Sequence, residues 1–301
     1  MTDFDLRSYL GARADEVELA LERVAERLET ELPDTLAAAA GHGILSGGKH
    51  LRPILCHAAY RACGGEAPDR AVHDFAVSLE MIHGYSLMHD DLPSMDDAEL
   101  RRGKPTTHRA HGVEATTTAG ALLIPLAARQ ALEGARALGA DEATAQRAAT
   151  VLMEAAGAGG MVGGQGLDLM GEGQRLGIED LNELHRHKTG ALLAASLRMG
   201  AIAAGAPQPL EVALTSYGRA IGLAFQIADD VLDATASAEE LGKNPSDADL
   251  DKSTYVSLFG LEEARNRGKA EVQDAKTALS GAGIASEALE ALADYIVERG
   301  H

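Results

Sequence analysis

The chain has 301 residues and a formal net charge of −19 at pH 7, a balance that argues against nucleic acid or an anionic membrane as a partner. Hydrophobic residues make up 46% and aromatics 3%, so a core is affordable from one helical domain, and the abundance of Ala, Leu and Glu favours helices. Cys56 and Cys63 are the only cysteines. Reduced thiols are expected, and the acidic start Met1-Thr2-Asp3-Phe4-Asp5 lacks a signal-peptide core, so a cytoplasmic protein without a membrane span is expected too.

In chain order, Leu6, Leu10, Val17, Leu21, Val24 and Leu28 among charged neighbours predict an amphipathic helix over 5–29. Pro33 opens a second helix to about Ala40. Gly47-Gly48-Lys49-His50-Leu51-Arg52-Pro53 follows, with Pro53 suited to a first helical position. A glycine pair ahead of a helix start exposes backbone donors, and Lys49 and Arg52 add positive charge. The stretch reads as a phosphate pocket, although Gly-Gly-Lys is also common in surface turns. The spacing of a nucleotide-binding loop is missing.

A helix over 68–89 carries Glu80 and His83 as a Glu-x-x-His pair. A di-iron oxidase needs two such pairs with further glutamates on core helices, and the other match in the chain, Glu298 to His301, falls beyond the helix predicted over Glu287–Val297, which disfavours that reading. His83 points toward the same helix end as Asp90, though a satisfied core histidine is the plainer reading. The helix runs into Asp90-Asp91-Leu92-Pro93-Ser94-Met95-Asp96-Asp97, with Arg101 and Arg102 close behind. Pro93 cannot continue the helix. The carboxylates therefore emerge at a C-terminal end, where the macrodipole already disfavours negative charge and a cation is needed. Clustered oxygen ligands suit Mg²⁺, although an acidic tip by itself could be a solvated loop.

Thr106-Thr107 predict the cap of a long Ala-rich helix to about Leu138, followed by a helix from Asp141 through Ala158. The glycine-rich stretch 157–173 includes Gln165 and Asp168, and close packing explains most of its glycines. Asp180 to Gly205 is helical in pattern but interrupted by Lys188-Thr189-Gly190. A lysine in an apolar run is costly unless paired, so Lys188 is expected to face the acidic site. The helix Pro207–Asp233 ends in a second cluster, Asp229-Asp230-Val231-Leu232-Asp233, with Gln226 a turn before it. Asp229 and Asp233, spaced i, i+4, share a helix face and would repel without a cation. Gly242 to Asp247 reads as a polar loop, Asp251-Lys252-Ser253 starts the next helix, and helices over Leu261–Leu279 and Glu287–Val297 close the chain. With no Pro/Ser-rich linker, residues 1–301 read as one all-α domain. Two carboxylate-tipped helices face to face would make a cage for several Mg²⁺ ions completed by water and phosphate, hence a diphosphate site.

Taken together, Gly48–Arg52, the two Asp clusters, Lys188-Thr189 and Phe225-Gln226 resemble the trans-isoprenyl diphosphate synthases, from Leu36 to the end, and the bacterial farnesyl diphosphate synthase branch in particular. The resemblance implies a single isoprenoid synthase helix bundle around a deep central cavity, a homodimer, and Mg²⁺ as cofactor, with three ions in the substrate complex. It implies Asp90, Asp91 and Asp96, with Asp229 and Asp233, as metal residues. It assigns isopentenyl diphosphate to Gly48, Lys49, Arg52, His83 and Arg102. The allylic diphosphate falls to Arg101, Lys188, Thr189, Gln226, Lys243 and Lys252. The Thr189 carbonyl and Gln226 would stabilise an allylic cation by their dipoles, which with Lys188 makes them the catalytic set. Tyr85, five residues and roughly 7–8 Å before Asp90 along the helix, with Ser86 beside it, would floor the prenyl pocket and imply a C15 product, farnesyl diphosphate. His50 stands where the family commonly has arginine and, lying between ligands, is expected to matter little. Ala228 replaces a common glutamine and is expected to trim support for the metal.

Geranylgeranyl diphosphate synthase, with the same sites and a deeper pocket, is the competing enzyme reading. A non-catalytic prenyl-diphosphate-binding partner subunit would typically lose an Asp motif, and both are intact. A terpene cyclase would share the cage but not need the Lys49–Arg52 pocket.

Overall fold

The computed structural model describes residues 4–171, 173–235 and 253–298. It is a bundle of α-helices, with one two-stranded ribbon among the described residues. In it α1 (Leu6–Glu31) is capped by Asp5, whose carboxylate accepts from the Ser8 amide at 3.1 Å. Its apolar positions Val17, Leu21, Val24 and Leu28 are buried, as their helical spacing requires. α2 (Asp34–Ile44), α3 (Leu51–Ala62) and α4 (Asp69–Asp90) follow. Pro53 is the third residue of α3, where its missing N–H would have had no helical partner.

α4 is the axis of the larger core, packed by α1, α2, α3 and α6. Phe75, Leu79, Met81 and Ile82 are all fully buried, each burial contributing about 1.5–3 kcal/mol. Gly134 lets α6 approach closely, since a Cβ there would lie 2.6 Å from the Phe75 Cα.

Between Asp97 and Thr106 the chain forms a hairpin, β1 (Leu100–Arg101) paired antiparallel with β2 (Lys104–Pro105). Arg102 (φ 53°) and Gly103 (φ 76°) make its two-residue turn, both left-handed as a hairpin turn matching strand twist demands. The helix predicted from Thr106-Thr107 divides in two. α5 (Thr107–His111) is a single short turn, Gly112 breaks the chain at φ 85°, and α6 (Val113–Ala137) starts anew.

After α7 (Glu142–Ala156), the glycine-rich stretch is itself a helix, α8 (Met161–Gly171). The predicted helix 180–205 is three pieces: α9 (Ile178–His185), a π-helical turn Arg186–Gly190, and α10 (Ala191–Ala203). α11 (Gln208–Thr235) is the longest helix described and packs on α10 and on the helix Leu261–Gly281. α12 (Tyr255–Phe259), α13 (Leu261–Gly281) and α14 (Glu287–Glu298) complete the bundle. No helix among the described residues is long and apolar enough to cross a membrane.

Candidate active site

The site is built where α4 and α11 present their C-terminal carboxylates and the π-turn and hairpin present cations. Asp91 is 3% exposed, and both its oxygens are engaged by Arg101, whose Nε donates at 2.8 and 3.0 Å and whose Nη2 donates at 2.6 Å. A buried carboxylate needs such a bidentate partner. Asp90, half-buried beside it, has a different environment. Burial lifts its carboxyl to about 6, against the pull of Lys188 and Arg101 and with the push of Asp96 and Asp91. Asp96 is exposed, and its amide donates to the Asp90 carbonyl at 2.9 Å, so the Pro93 loop folds back on the helix end.

The π-turn carries Lys188 and Thr189. Such turns widen a helix and re-aim its side chains, and they concentrate at functional sites. Lys188 Nζ donates to Asp168 of α8 at 2.5 Å. Thr189 Oγ1 donates to Gln226 Oε1 of α11 at 3.0 Å. Close approach is permitted by glycine: a Cβ on Gly164 would stand 2.2 Å from the Lys188 amide nitrogen, and one on Gly222 2.8 Å from the Gly190 Cα. A small pocket of about 140 Å³ lies here, lined by Asp168, Lys188, Gln226 and Asp230 among others. Asp230 is buried and accepts from the Tyr255 amide at 2.7 Å, so it ties α12 to α11. Asp229 and Asp233 are half-buried on α11, and the charge of Asp229 acts on Arg52.

The second subsite lies across α4. Gly47 (φ 78°) and His50 (φ 47°) are left-handed on the approach to α3, a backbone shape that turns successive N–H groups outward. Gly48 lacks a side chain where a Cβ would strike the Arg102 guanidinium at 2.7 Å, and Arg102 Nη1 donates to Ser46 Oγ at 3.2 Å. Gly48, Lys49, Arg52, His83 and Arg102 all line one cavity of about 600 Å³, closed by Leu10 of α1, Phe225 of α11 and Ile296 of α14. Arg52 Nε is buried with no hydrogen-bond partner among the described residues. Burial, reinforced by the Arg52 charge, pushes His83 down to about 3, so it is neutral.

The hairpin thus divides the two arginines, Arg101 toward Asp91 and Arg102 toward Gly48. Neighbouring residues at a strand end point oppositely.

Tyr85 and Ser86 stand outside the wall of the 600 Å³ cavity. On α4, Tyr85 is about 200° around from His83. Its ring, 9% exposed, leans on the His89 ring at 4.6 Å and toward Gly120 of α6. Ser86 Oγ donates to the His83 carbonyl at 2.8 Å. Lys243 and Lys252 lie outside the described residues. His50, expected to matter little, is buried with its Nδ1 3.1 Å from Glu80 Oε1. Sequence reasoning also gave no role to Glu80 or Asp168. A carboxylate in the apolar run of α4 was the available signal, because burial demands a partner. Ala228 is buried, 9% exposed, on the helix that carries Asp229.

The donors at the α4 and α11 tips are all carboxylate oxygen, and burial keeps Asp90 protonated to an unusually high pH. That set fits a hard divalent ion. No group of three or more His, Cys, Asp or Glu among the described residues is gathered closely enough to hold a metal ion by itself.

The chain matches the polyprenyl synthetase family model over residues 33–292 and belongs to that family, the trans-prenyl diphosphate synthases. It is similar to farnesyl diphosphate synthase of Bacillus subtilis, 38% identical over 300 residues covering 98% of this chain and 99% of the relative. It is also 40% identical to geranylgeranyl pyrophosphate synthase 12 of Arabidopsis thaliana, over 98% of this chain and 82% of the relative. Among solved structures, an FPP/GFPP synthase from Zymomonas mobilis superposes with a TM-score of 0.82 at 33% identity, covering 97% of this chain and 98% of that one.

Proposed function

We propose that this chain is a short-chain trans-prenyltransferase that condenses isopentenyl diphosphate with dimethylallyl or geranyl diphosphate to (2E,6E)-farnesyl diphosphate. The observation that carries this reading is the division of cations by one hairpin: Arg101 beside Asp91 and Asp90, Arg102 beside Gly48, Lys49 and Arg52. Two diphosphates need two such subsites, and a cyclase needs one.

The allylic diphosphate is held by Arg101 and Lys188. Their charges stabilise the oxygen that leaves with the C–O electron pair, leaving an allylic cation. Asp90 at the end of α4 and Asp96 in the loop after it, with Asp229 and Asp233 on α11, would hold Mg²⁺, which when bound supplies charge neutralisation to the departing diphosphate. Asp91 acts by fixing Arg101. Thr189 and Gln226, fixed to each other, present dipoles toward the cation. Lys49, Arg52 and Arg102 anchor the second diphosphate so that its double bond attacks the cation, forming the carbon–carbon bond. The proton lost afterwards passes to the released pyrophosphate. No side-chain nucleophile is required.

The C15 assignment rests on Tyr85, whose ring, together with the His89 ring, fills the space between α4 and Gly120 of α6. Geranylgeranyl diphosphate synthase is the reading to which a longer product would lead. Two variants test the two subsites. Arg52→Ala raises KM for isopentenyl diphosphate by about tenfold or more with little change for geranyl diphosphate, whereas Asp90→Asn mainly lowers kcat. Equal effects of Arg52→Ala on both substrates would defeat the two-subsite reading.

A further inference from the structure

The 600 Å³ cavity is anchored from behind by a buried acid that the condensation scheme does not use. Glu80 is 5% exposed on α4 and lines the cavity with Arg52, His83 and Arg102. Its Oε1 lies 3.1 Å from His50 Nδ1, and its Oε2 makes no hydrogen bond among the described residues. Glu80 feels the charges of His50 and Arg52, and Arg102 in turn feels Glu80. Burial alone would neutralise this carboxyl, yet its neighbours hold it down at about 2, so it is an anion at the back of an anion-binding pocket.

That anion competes with a diphosphate for Arg52 and Arg102 unless another cation satisfies it. His50 is the one placed to do so. Its ring is 3% exposed and lies between two carboxylates, with Nδ1 3.1 Å from Glu80 and Nε2 3.6 Å from Glu18 of α1. A neutral imidazole has one N–H, so its other nitrogen would turn a lone pair toward a carboxylate oxygen. Only the imidazolium suits both sides. The charged groups facing it from the elements around it are Glu18 on α1, Glu80 on α4 and, opposing, Arg102 on the hairpin.

We propose that His50 is a positioning residue: as an imidazolium it neutralises Glu80 and so leaves Arg52 and Arg102 free for the diphosphate of the isopentenyl substrate, whose binding weakens as His50 loses its proton. Burial pushes the His50 imidazole down, but the hydrogen bond and charge of Glu80, with Glu18, override it and hold the ring above the ordinary histidine range. Below that point the pocket has its full cationic charge. Above it, Glu80 draws on Arg52 and Arg102.

The inference takes the identity of the ligand from the proposed function, so its test is binding without turnover. Isopentenyl diphosphate is titrated calorimetrically at constant magnesium, at about pH 6.5 and about pH 9. The proteins compared are the parent, His50→Arg, His50→Asn and Glu18→Gln. Arginine fixes the charge; asparagine keeps a donor near Nδ1 and tolerates the left-handed backbone. The parent should bind as His50→Arg does at the lower pH and about tenfold more weakly than it at the higher pH. His50→Asn should be weak at both. Glu18 is exposed, so Glu18→Gln keeps the test available if a His50 variant does not fold, and it should move the parent's transition to lower pH. The proposal is overturned if the parent, His50→Arg and His50→Asn share one pH dependence, or if geranyl diphosphate binding shifts by the same factor. A normal result here without any condensation in the two-substrate assay would overturn the proposed function and not the role of His50.

Discussion

Lowering the pH from about 7.5 to 5 should weaken divalent-cation binding by about tenfold, because the cation and a proton compete for Asp90. Asp90 is half-buried at the end of α4, and its carboxyl is lifted to about 6, by burial first. A hard cation binds the ionised form. At pH 7.5 nearly all Asp90 is ionised, at pH 6 about half, and at pH 5 about a tenth. Apparent affinity follows that fraction, and each ion bound below pH 6 displaces close to one proton. Lys188 is the leading charge that pulls Asp90 down. Lys188→Met should therefore move the break to higher pH, even though it removes a positive charge that repels the metal. Mn²⁺, which accepts the same carboxylate ligands, is the probe: its free fraction is read by electron paramagnetic resonance. Calorimetry in two buffers of different ionisation enthalpy counts the protons. A Mn²⁺ affinity unchanged between pH 7.5 and 5, or no proton release at about pH 5.5, would refute the assignment of Asp90 as a ligand.

Tyr85→Ala opens the space between α4 and Gly120, so the product should lengthen from C15 toward C20; an unchanged C15 profile in the chromatogram would remove Tyr85 as the floor. His73 is fully buried, stacked on His57 at 4.8 Å with neither ring nitrogen partnered among the described residues. Burial, then the charges of His57 and Arg13, press it from 6.5 to about 3. The unfolded chain therefore binds an extra proton between those values, and stability is full above 6.5 and falls as pH drops below it, by about 2 kcal/mol at pH 5. His73→Phe removes that penalty, so its gain in Tm over the parent should be larger at pH 5 than at pH 8; a constant difference would count against it. Gly164→Ala forces a Cβ against the Lys188 backbone. It should cost about 1–3 kcal/mol in denaturant unfolding and lower kcat. Gly11→Ala on α1, with open space around it, should be neutral or stabilising by about 0.5–1 kcal/mol.

How much of this was legible in the sequence depends on the range of the interaction that fixes it. The helices of α1, α4 and α11 were readable because their apolar spacing is local, and the carboxylate tips because a charge cluster after an apolar run conflicts with the helix dipole. Lys188 was readable as an anomaly, though its partner turned out to be Asp168 together with the field of Asp90. The hairpin that divides Arg101 from Arg102 was not readable, since two-residue strands have no alternation to detect. Gly112 ends the helix predicted from Thr106-Thr107 after one turn, because a left-handed residue overrides a good N-terminal signal. The contacts of His50 were not readable either. Its partners Glu18 and Glu80 lie 32 and 30 positions away and meet it only when α1, α3 and α4 pack.

The most direct test of the account is a product assay with purified protein, Mg²⁺, dimethylallyl diphosphate and labelled isopentenyl diphosphate. Chain length is read by chromatography after dephosphorylation. The account predicts a labelled C15 alcohol that disappears when the metal is chelated. Tight binding of both diphosphates with no labelled alcohol longer than C5 would contradict it.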